Sequence, residues 1–146
     1  MDRTRHNTVL KDGDDYFVCH HIRAPKDKRF HYLHIRKLIW TEKGWPVISP
    51  ERFAGETNRH ICSNELPGEW EVIQVDPLND GQDQALRINL RESVWQHLSG
   101  NVYQLHDETY TMQVTVHEAW DWEQWKSTVV FESIHSDGVV YLAKKR

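Results

Sequence analysis

The residues best able to do chemistry in this 146-residue chain are 10 His, 7 Trp and a set of closely spaced carboxylates. His20, His21, His31 and His34 invite a metal site, because imidazole nitrogen is a common ligand for zinc. Adjacent strand residues point to opposite faces, so His20 and His21 cannot chelate one ion from a regular strand. His31 and His34, three apart, are split in the same way. His117-Glu118 opens like a helical metalloprotease motif, but the fifth position is Asp121, at the end of a strand pattern. These histidines read as structural or surface groups. Asp12, Asp14 and Asp15 lack the ligand spacing of a calcium loop and fit a hairpin turn on Asp12-Gly13. Glu118, Asp121, Glu123 and Glu132 could supply a carboxylate pair for acid–base work, but spacing along the chain does not fix the separation such work needs. They read as solvated carboxylates. Trp70, Trp95, Trp120, Trp122 and Trp125 could form a sugar-stacking platform. Trp120 and Trp122 project to the same side of an extended strand and are the glycan-stacking candidates. For the five as a group, packing in a core or between domains is the expectation, because a small barrel needs large side chains to fill it.

The elements that must position these groups are strands. Ala85-Leu86-Arg87-Ile88-Asn89-Leu90-Arg91 alternates strictly, and residues 110–117 do the same. Residues 70–75, 128–131 and 139–142 are further β-rich runs. Turn signals at Asp12-Gly13, Lys43-Gly44, Asp80-Gly81, Ser99-Gly100-Asn101 and Asp137-Gly138 separate the runs. The stretch from Ala119 to Lys126 is the one helical candidate, and its three tryptophans argue against it. The chain is expected to be all-β. With 18 Lys and Arg against 22 Asp and Glu, the formal charge is −4, which argues against a nucleic-acid binder. Apolar runs are too short for a membrane helix. The N-terminal residues lack the apolar core of a signal peptide, so the cytoplasm is the default compartment. Cys19 and Cys62 show no CxxC spacing and read as free thiols, Cys19 as a small core hydrophobe.

Composition divides the chain. Residues 1–57 offer three or four strands, and residues 49–58 are polar and irregular, as a linker would be. Residues 58–146 hold about six strands, enough for a small barrel. A sheet of three or four strands leaves one face and two edges open, so the first segment must pack on the second or on something else.

His6-Asn7-Thr8-Val9, the run Lys11 to His21, the run Leu33 to Trp40 and Gly44-Trp45-Pro46-Val47 together resemble the last blade of the five-bladed propeller of glycoside hydrolase family 43. Gly68-Glu69-Trp70-Glu71, Tyr110 to Val116, Trp120-Asp121-Trp122-Glu123 and Thr128 to Phe131 resemble the β-barrel that follows the propeller in the arabinanase branch. The resemblance implies a partial propeller blade over 1–57 and a small antiparallel β-barrel over 58–146. It implies the C-terminal portion of an inverting glycosidase acting on α-1,5-linked arabinan, with the catalytic base, acid and tuning carboxylate in earlier blades. No position here inherits those roles, so the chain is expected to be inactive alone. His6 inherits the family's active-site histidine beside a calcium or solvent cluster, and calcium is expected only in the intact family fold. The implied partners are arabinan or arabino-oligosaccharide through the parent, and either the missing blades or a second copy against the open blade. The alternative is a stand-alone carbohydrate-binding or structural barrel. A lipocalin-like ligand barrel would need a cavity that the tryptophans oppose.

Overall fold

Alternating apolar and polar side chains suit a sheet with one buried face, and each turn signal ends a strand. The computed structural model describes residues 7–24, 26–27, 29–76, 78 and 84–146, and these form two antiparallel sheets. Strands β1 (Asn7–Asp12), β2 (Asp15–Arg23), β3 (His31–Trp40) and β4 (Pro46–Ile48) make a four-stranded meander. Asp12 pairs with Asp15 across the β1–β2 turn, where Gly13 adopts φ +59°, as the Asp12-Gly13 signal implied.

The second sheet contains β5 (Gly68–Val75), β6 (Ala85–Leu90), β7 (Trp95–Ser99), β8 (Val102–His106), β9 (Thr111–Asp121), β10 (Lys126–Ile134) and β11 (Val140–Lys145). Its hydrogen-bonded order is β6-β5-β11-β10-β9-β8-β7. In a flat sheet β5 and β7 would stand five strand spacings apart, about 24 Å. Instead the rings of Trp70 on β5 and Trp95 on β7 lie 5.7 Å apart, centroid to centroid. Phe131 on β10 sits 5.1 Å from Trp70 and 6.1 Å from Trp95. The sheet therefore curls until its two ends meet across these rings. Its ladder is not continued between β6 and β7, which the turn at Glu92–Val94 joins in sequence.

The interior of the curl is filled by Trp70, Trp95, Tyr103, Leu105, Val114, Val116 and Phe131. The segment before β5 plugs one end. Ile61 and Leu66 are fully buried, Tyr103 OH donates to Ile61 O at 2.6 Å, and Trp70 Nε1 donates to Leu66 O at 2.8 Å. Core packing, expected for the tryptophans, thus holds for Trp70 and Trp95. Residues 119–126 form no helix: β9 continues through Asp121 and a turn leads to β10. Among the described residues no helix is long and apolar enough to cross a membrane. Cys19 is half-buried and Cys62 exposed, and both are free.

The meander is less finished. Val9, Ile22, Tyr32, Trp40 and Ile48 share one of its faces by register and are 39–59% exposed. The same face buries Val18 and Leu38 at its centre; the other face buries Phe17, Lys37 and Val47 but leaves Leu10 and Leu33 exposed, and Phe17 packs on Phe53 with ring centroids 4.8 Å apart.

Residues 49–58 correct the expectation of a linker. They have no strand or helix, yet they are bonded on both sides. The Ser49 and Phe53 amides donate to Lys37 O and Ile35 O at 2.9 and 2.8 Å, prolonging the covered edge of β3 beyond β4. Trp122 Nε1 donates to Arg52 O at 2.9 Å, and the Trp120 amide donates to Glu56 at 2.8 Å. The segment is a strap. Its polar composition resembles that of a solvated linker because its partners across the joint are themselves polar.

Core and surface tryptophans should differ sharply in cost. Trp70→Ala is expected to lower the unfolding free energy by about 3–5 kcal/mol. Trp45→Ala, at an indole 61% exposed, should change it by less than about 0.5 kcal/mol. Urea unfolding followed by circular dichroism measures both.

Candidate functional site

Successive residues of β9 alternate between the filled interior and the strap. Met112, Val114 and Val116 join the core, whereas His117 and Ala119 line the gap beneath the strap. Lys144 of β11 and Glu132 of β10 are also buried, at 8% and 0% exposure, and Asp121 is fully buried. Lys144 Nζ lies 2.9 Å from Glu51 of the strap, 3.3 Å from Asp121 and 3.2 Å from Glu123. Arg146 adds contacts to Glu123 at 3.3 Å and Glu71 at 3.4 Å. Burial works against the Lys144 charge, but Glu51, Glu123 and Asp121 outweigh it and hold the ammonium above the ordinary lysine range. Burial also works against the Asp121 charge. The Gln124 and Glu123 amides and Lys144 outweigh it, holding that carboxyl low. Glu123 is lowered by the hydrogen bond from Lys144. A general acid must keep its proton near neutral pH, so Asp121 and Glu123 are tuned the wrong way for that role. Glu118 accepts from Ser127 at 2.8 Å and pairs with Arg59 at 3.3 Å.

One arrangement was not visible in the spacing. Ser49 Oγ lies 3.2 Å from His117 Nε2, and His117 Nδ1 lies 3.3 Å from Glu132. Ser, His and Glu in that order resemble the relay of a nucleophilic hydrolase. The relay is sealed: Ser49 is 3% exposed, and the gap around it, lined by Lys37, Phe53, His117 and Ala119, has no room for a water molecule. The Ser49–His117 hydrogen bond latches the strap to the barrel, and His117 Nδ1 and Glu132, though 3.3 Å apart, make no hydrogen bond with each other.

The tryptophans of the β9–β10 turn fall into three positions. Trp120 is half-buried, with its amide bonded to Glu56. Trp122 is half-buried, bonded through Nε1 to the strap, and carries the Arg52 guanidinium 4.3 Å from its ring centroid. Trp125 is 70% exposed and has φ +52°, a left-handed backbone that costs a non-glycine residue roughly 1–2 kcal/mol. Its ring meets Trp122 edge-on, with centroids 5.7 Å apart.

On the meander the histidines pair across strands. His20 stands opposite His34 with ring centroids 5.5 Å apart, and His21 meets His31 at 4.8 Å. Both ring sets keep the split between faces that alternation required. Burial, followed by Arg36, lowers the His20 pKa; burial, followed by Arg52 and Arg36, lowers that of His34. His6 lies outside the described residues. Among the described residues no group of three or more His, Cys, Asp or Glu side chains could hold a metal ion.

An open four-stranded meander strapped to the outside of a filled, curled antiparallel sheet defines a two-part all-β unit. The chain belongs to glycoside hydrolase family 43: residues 50–143 match the model of that family's C-terminal lipocalin-like domain. The fold expected from the motifs is borne out, and the interior of this lipocalin-like sheet is filled by aromatic side chains. The chain is similar to extracellular endo-α-(1→5)-L-arabinanase 2 of Bacillus subtilis (strain 168), 32% identical over 47% of this chain and 15% of that protein. It is 24% identical to the extracellular endo-α-(1→5)-L-arabinanase of Thermotoga petrophila over 92% of this chain and 32% of that one. Among solved structures it resembles the family 43 YxiA protein of Bacillus licheniformis, with a TM-score of 0.83 and 19% identity, over 96% of this chain and 34% of the other. It also resembles the T. petrophila endo-1,5-α-L-arabinanase, at 0.80 and 22% over 97% of this chain and 35% of that one. The arabinanase branch named by the motifs is thus borne out, and the chain spans about a third or less of these relatives' length.

Ser49→Ala would leave His117 Nε2 without its partner in a dry joint. It is expected to cost about 1–3 kcal/mol in urea unfolding. Stability should also fall in two acid steps. Imidazoles with lowered folded pKa values bind fewer protons than their unfolded counterparts, so the His20 and His34 contributions are lost as pH falls through about 6.5 and below. The depressed Asp121 and Glu123 carboxyls stabilise above about pH 4 and lose that contribution below it. Lys144, raised when folded, contributes below about pH 10.4 and is lost above it. Melting temperature against pH checks all three limbs, and His34→Gln should flatten the first.

Proposed function

We propose that this chain is the C-terminal portion of an arabinan endo-1,5-α-L-arabinosidase-like glycoside hydrolase, and that it does not cleave glycan alone. The observation that carries the reading is the family match over residues 50–143, together with a likeness in fold to the T. petrophila arabinanase over 97% of this chain. The catalytic carboxylates belong to earlier blades in the family pattern. The low carboxyls of Asp121 and Glu123 and the sealed Ser49–His117 latch support the absence of an acid–base pair from these residues. In the intact parent, His6 would line the active-site channel beside calcium and arabinan would be the substrate.

The apolar face of Val9, Ile22, Tyr32, Trp40 and Ile48 supports the missing blades as partner, with self-association as its fate when they are absent. The free thiols Cys19 and Cys62 support a reducing compartment, the cytoplasm, against the extracellular location in both arabinanases' names. The second reading is a stand-alone carbohydrate-binding or structural module, favoured by a curled sheet that seals its own core.

The test mixes the pure chain with the propeller portion of the T. petrophila arabinanase and assays release of arabino-oligosaccharides from debranched arabinan. No release by the chain alone, with activity recovered in the mixture, is the expected outcome. Release by the chain alone overturns the proposal. Binding of arabinan with no rescue of the propeller favours the module.

A further inference from the structure

Trp40 belongs to the exposed apolar face of the meander, whereas Trp125 belongs to the sealed sheet. Residues 122–125 connect Asp121 to Lys126, which are paired across the β9–β10 hairpin. Asp121 Oδ1 accepts the amides of Glu123 and Gln124 at 2.9 and 3.0 Å and sets the first half of the turn. Trp125 closes it with φ +52°. Glycine or asparagine takes that backbone at little cost, whereas a bulky aromatic is an outlier there. The chain spends that strain and leaves 70% of the indole in water. The indole takes no part in the buried core, and its ring contact is with Trp122.

What surrounds the ring suits a ligand with both apolar and hydroxyl surfaces. Trp122 backs Trp125 edge-on, and is itself fixed by its Nε1 bond to Arg52 O and by the Arg52 guanidinium. Gln124 and Lys126, its neighbours in the turn, are exposed and polar, whereas the Glu123 carboxylate is held by Lys144 and Arg146. An aromatic face beside donors and acceptors matches a sugar ring, which is apolar on its C–H face and polar at its rim.

We propose that Trp125 is the stacking residue of a surface site for a neutral polysaccharide chain, with Trp122 as its positioning residue. The site takes its ligand class from the carbohydrate reading above but does not depend on glycosidase activity. It differs from the sequence expectation, which named Trp120 and Trp122. Trp120 is half-buried, and one face of Trp122 is occupied by Arg52.

The test is native affinity electrophoresis of the full chain in gels with and without debranched arabinan, xylan or a mixed-linkage β-glucan. Trp125→Asn and Trp125→Tyr run alongside, and each variant's melting temperature is recorded. Asparagine suits the left-handed backbone, so Trp125→Asn should fold with an equal or higher melting temperature. Retardation of the wild-type chain by arabinan is expected, at least about tenfold weaker in Trp125→Asn and kept by Trp125→Tyr. Retardation by xylan or β-glucan alone, lost in Trp125→Asn, supports the stacking site while counting against arabinan as the parent's substrate. No retardation by any of the three, or equal retardation of wild type and Trp125→Asn, overturns the site. Rescue of propeller activity by a chain that no polysaccharide retards would leave the proposed function standing and remove this one.

Discussion

A buried lysine anchors the strap that joins the two sheets. Lys144 sits on the outer face of the curled sheet with 8% of its surface exposed, among Glu51, Asp121 and Glu123. Burying an ammonium is costly, and here the cost is offset only because carboxylates close on it from two elements. Asp121 and Glu123 come from the β9–β10 hairpin, but Glu51 comes from the strap. The ion cluster is therefore complete only when the strap is seated. A seated strap in turn covers the edge of β3 through the Ser49 and Phe53 amides. A charge buried on one sheet thus completes the edge of the other.

A joint made of polar pairs also fixes its own register. Glu51 reaches Lys144, Ser49 reaches His117, and Glu56 reaches the Trp120 amide, all from one eight-residue stretch. A slip of the strap by one residue would break these three together and leave Lys144 and His117 facing a dry gap. An apolar joint would tolerate such a slip, because dispersion and burial have little direction. The same closure shuts the Ser49–His117–Glu132 relay away from any substrate. That is why a geometry resembling a hydrolase serves attachment here.

The sequence showed its strands where alternation met a buried face. Leu86, Ile88 and Leu90 of β6 go from 56% exposed through half-buried to 1% exposed, because the strand lies at the sheet's end and only its last residues reach the core. Strand order was not legible. β5 pairs with β11, about seventy positions away in sequence, and no local pattern encodes that partner. The histidine split between faces followed from alternation, yet the His20–His34 pairing depended on register. In the sequence the strap reads as a linker, because Ser, Glu, Arg and Asn are the residues both of a solvated linker and of a polar joint. Their partners, such as His117, 68 positions from Ser49, had to be placed before the two could be told apart.

The tryptophans divide by what burial can explain. Trp70 and Trp95 are required by the curl, since only rings of that size span the interior between β5 and β7. Trp40, 50% exposed, lies on the apolar face of the meander, and Trp45, 61% exposed, in the turn that leads to β4. Trp122 is required by the strap, which it meets through Arg52. Trp125 fits none of these. It sits on the finished sheet, outside the core, at a backbone angle a smaller residue would occupy more easily. A strained residue that adds nothing to the buried core is the kind for which strain argues a role in binding. The sign in the sequence was the missing glycine. A four-residue turn after an Asp that caps two amides usually ends on a residue free to turn left-handed, and here it ends on an indole.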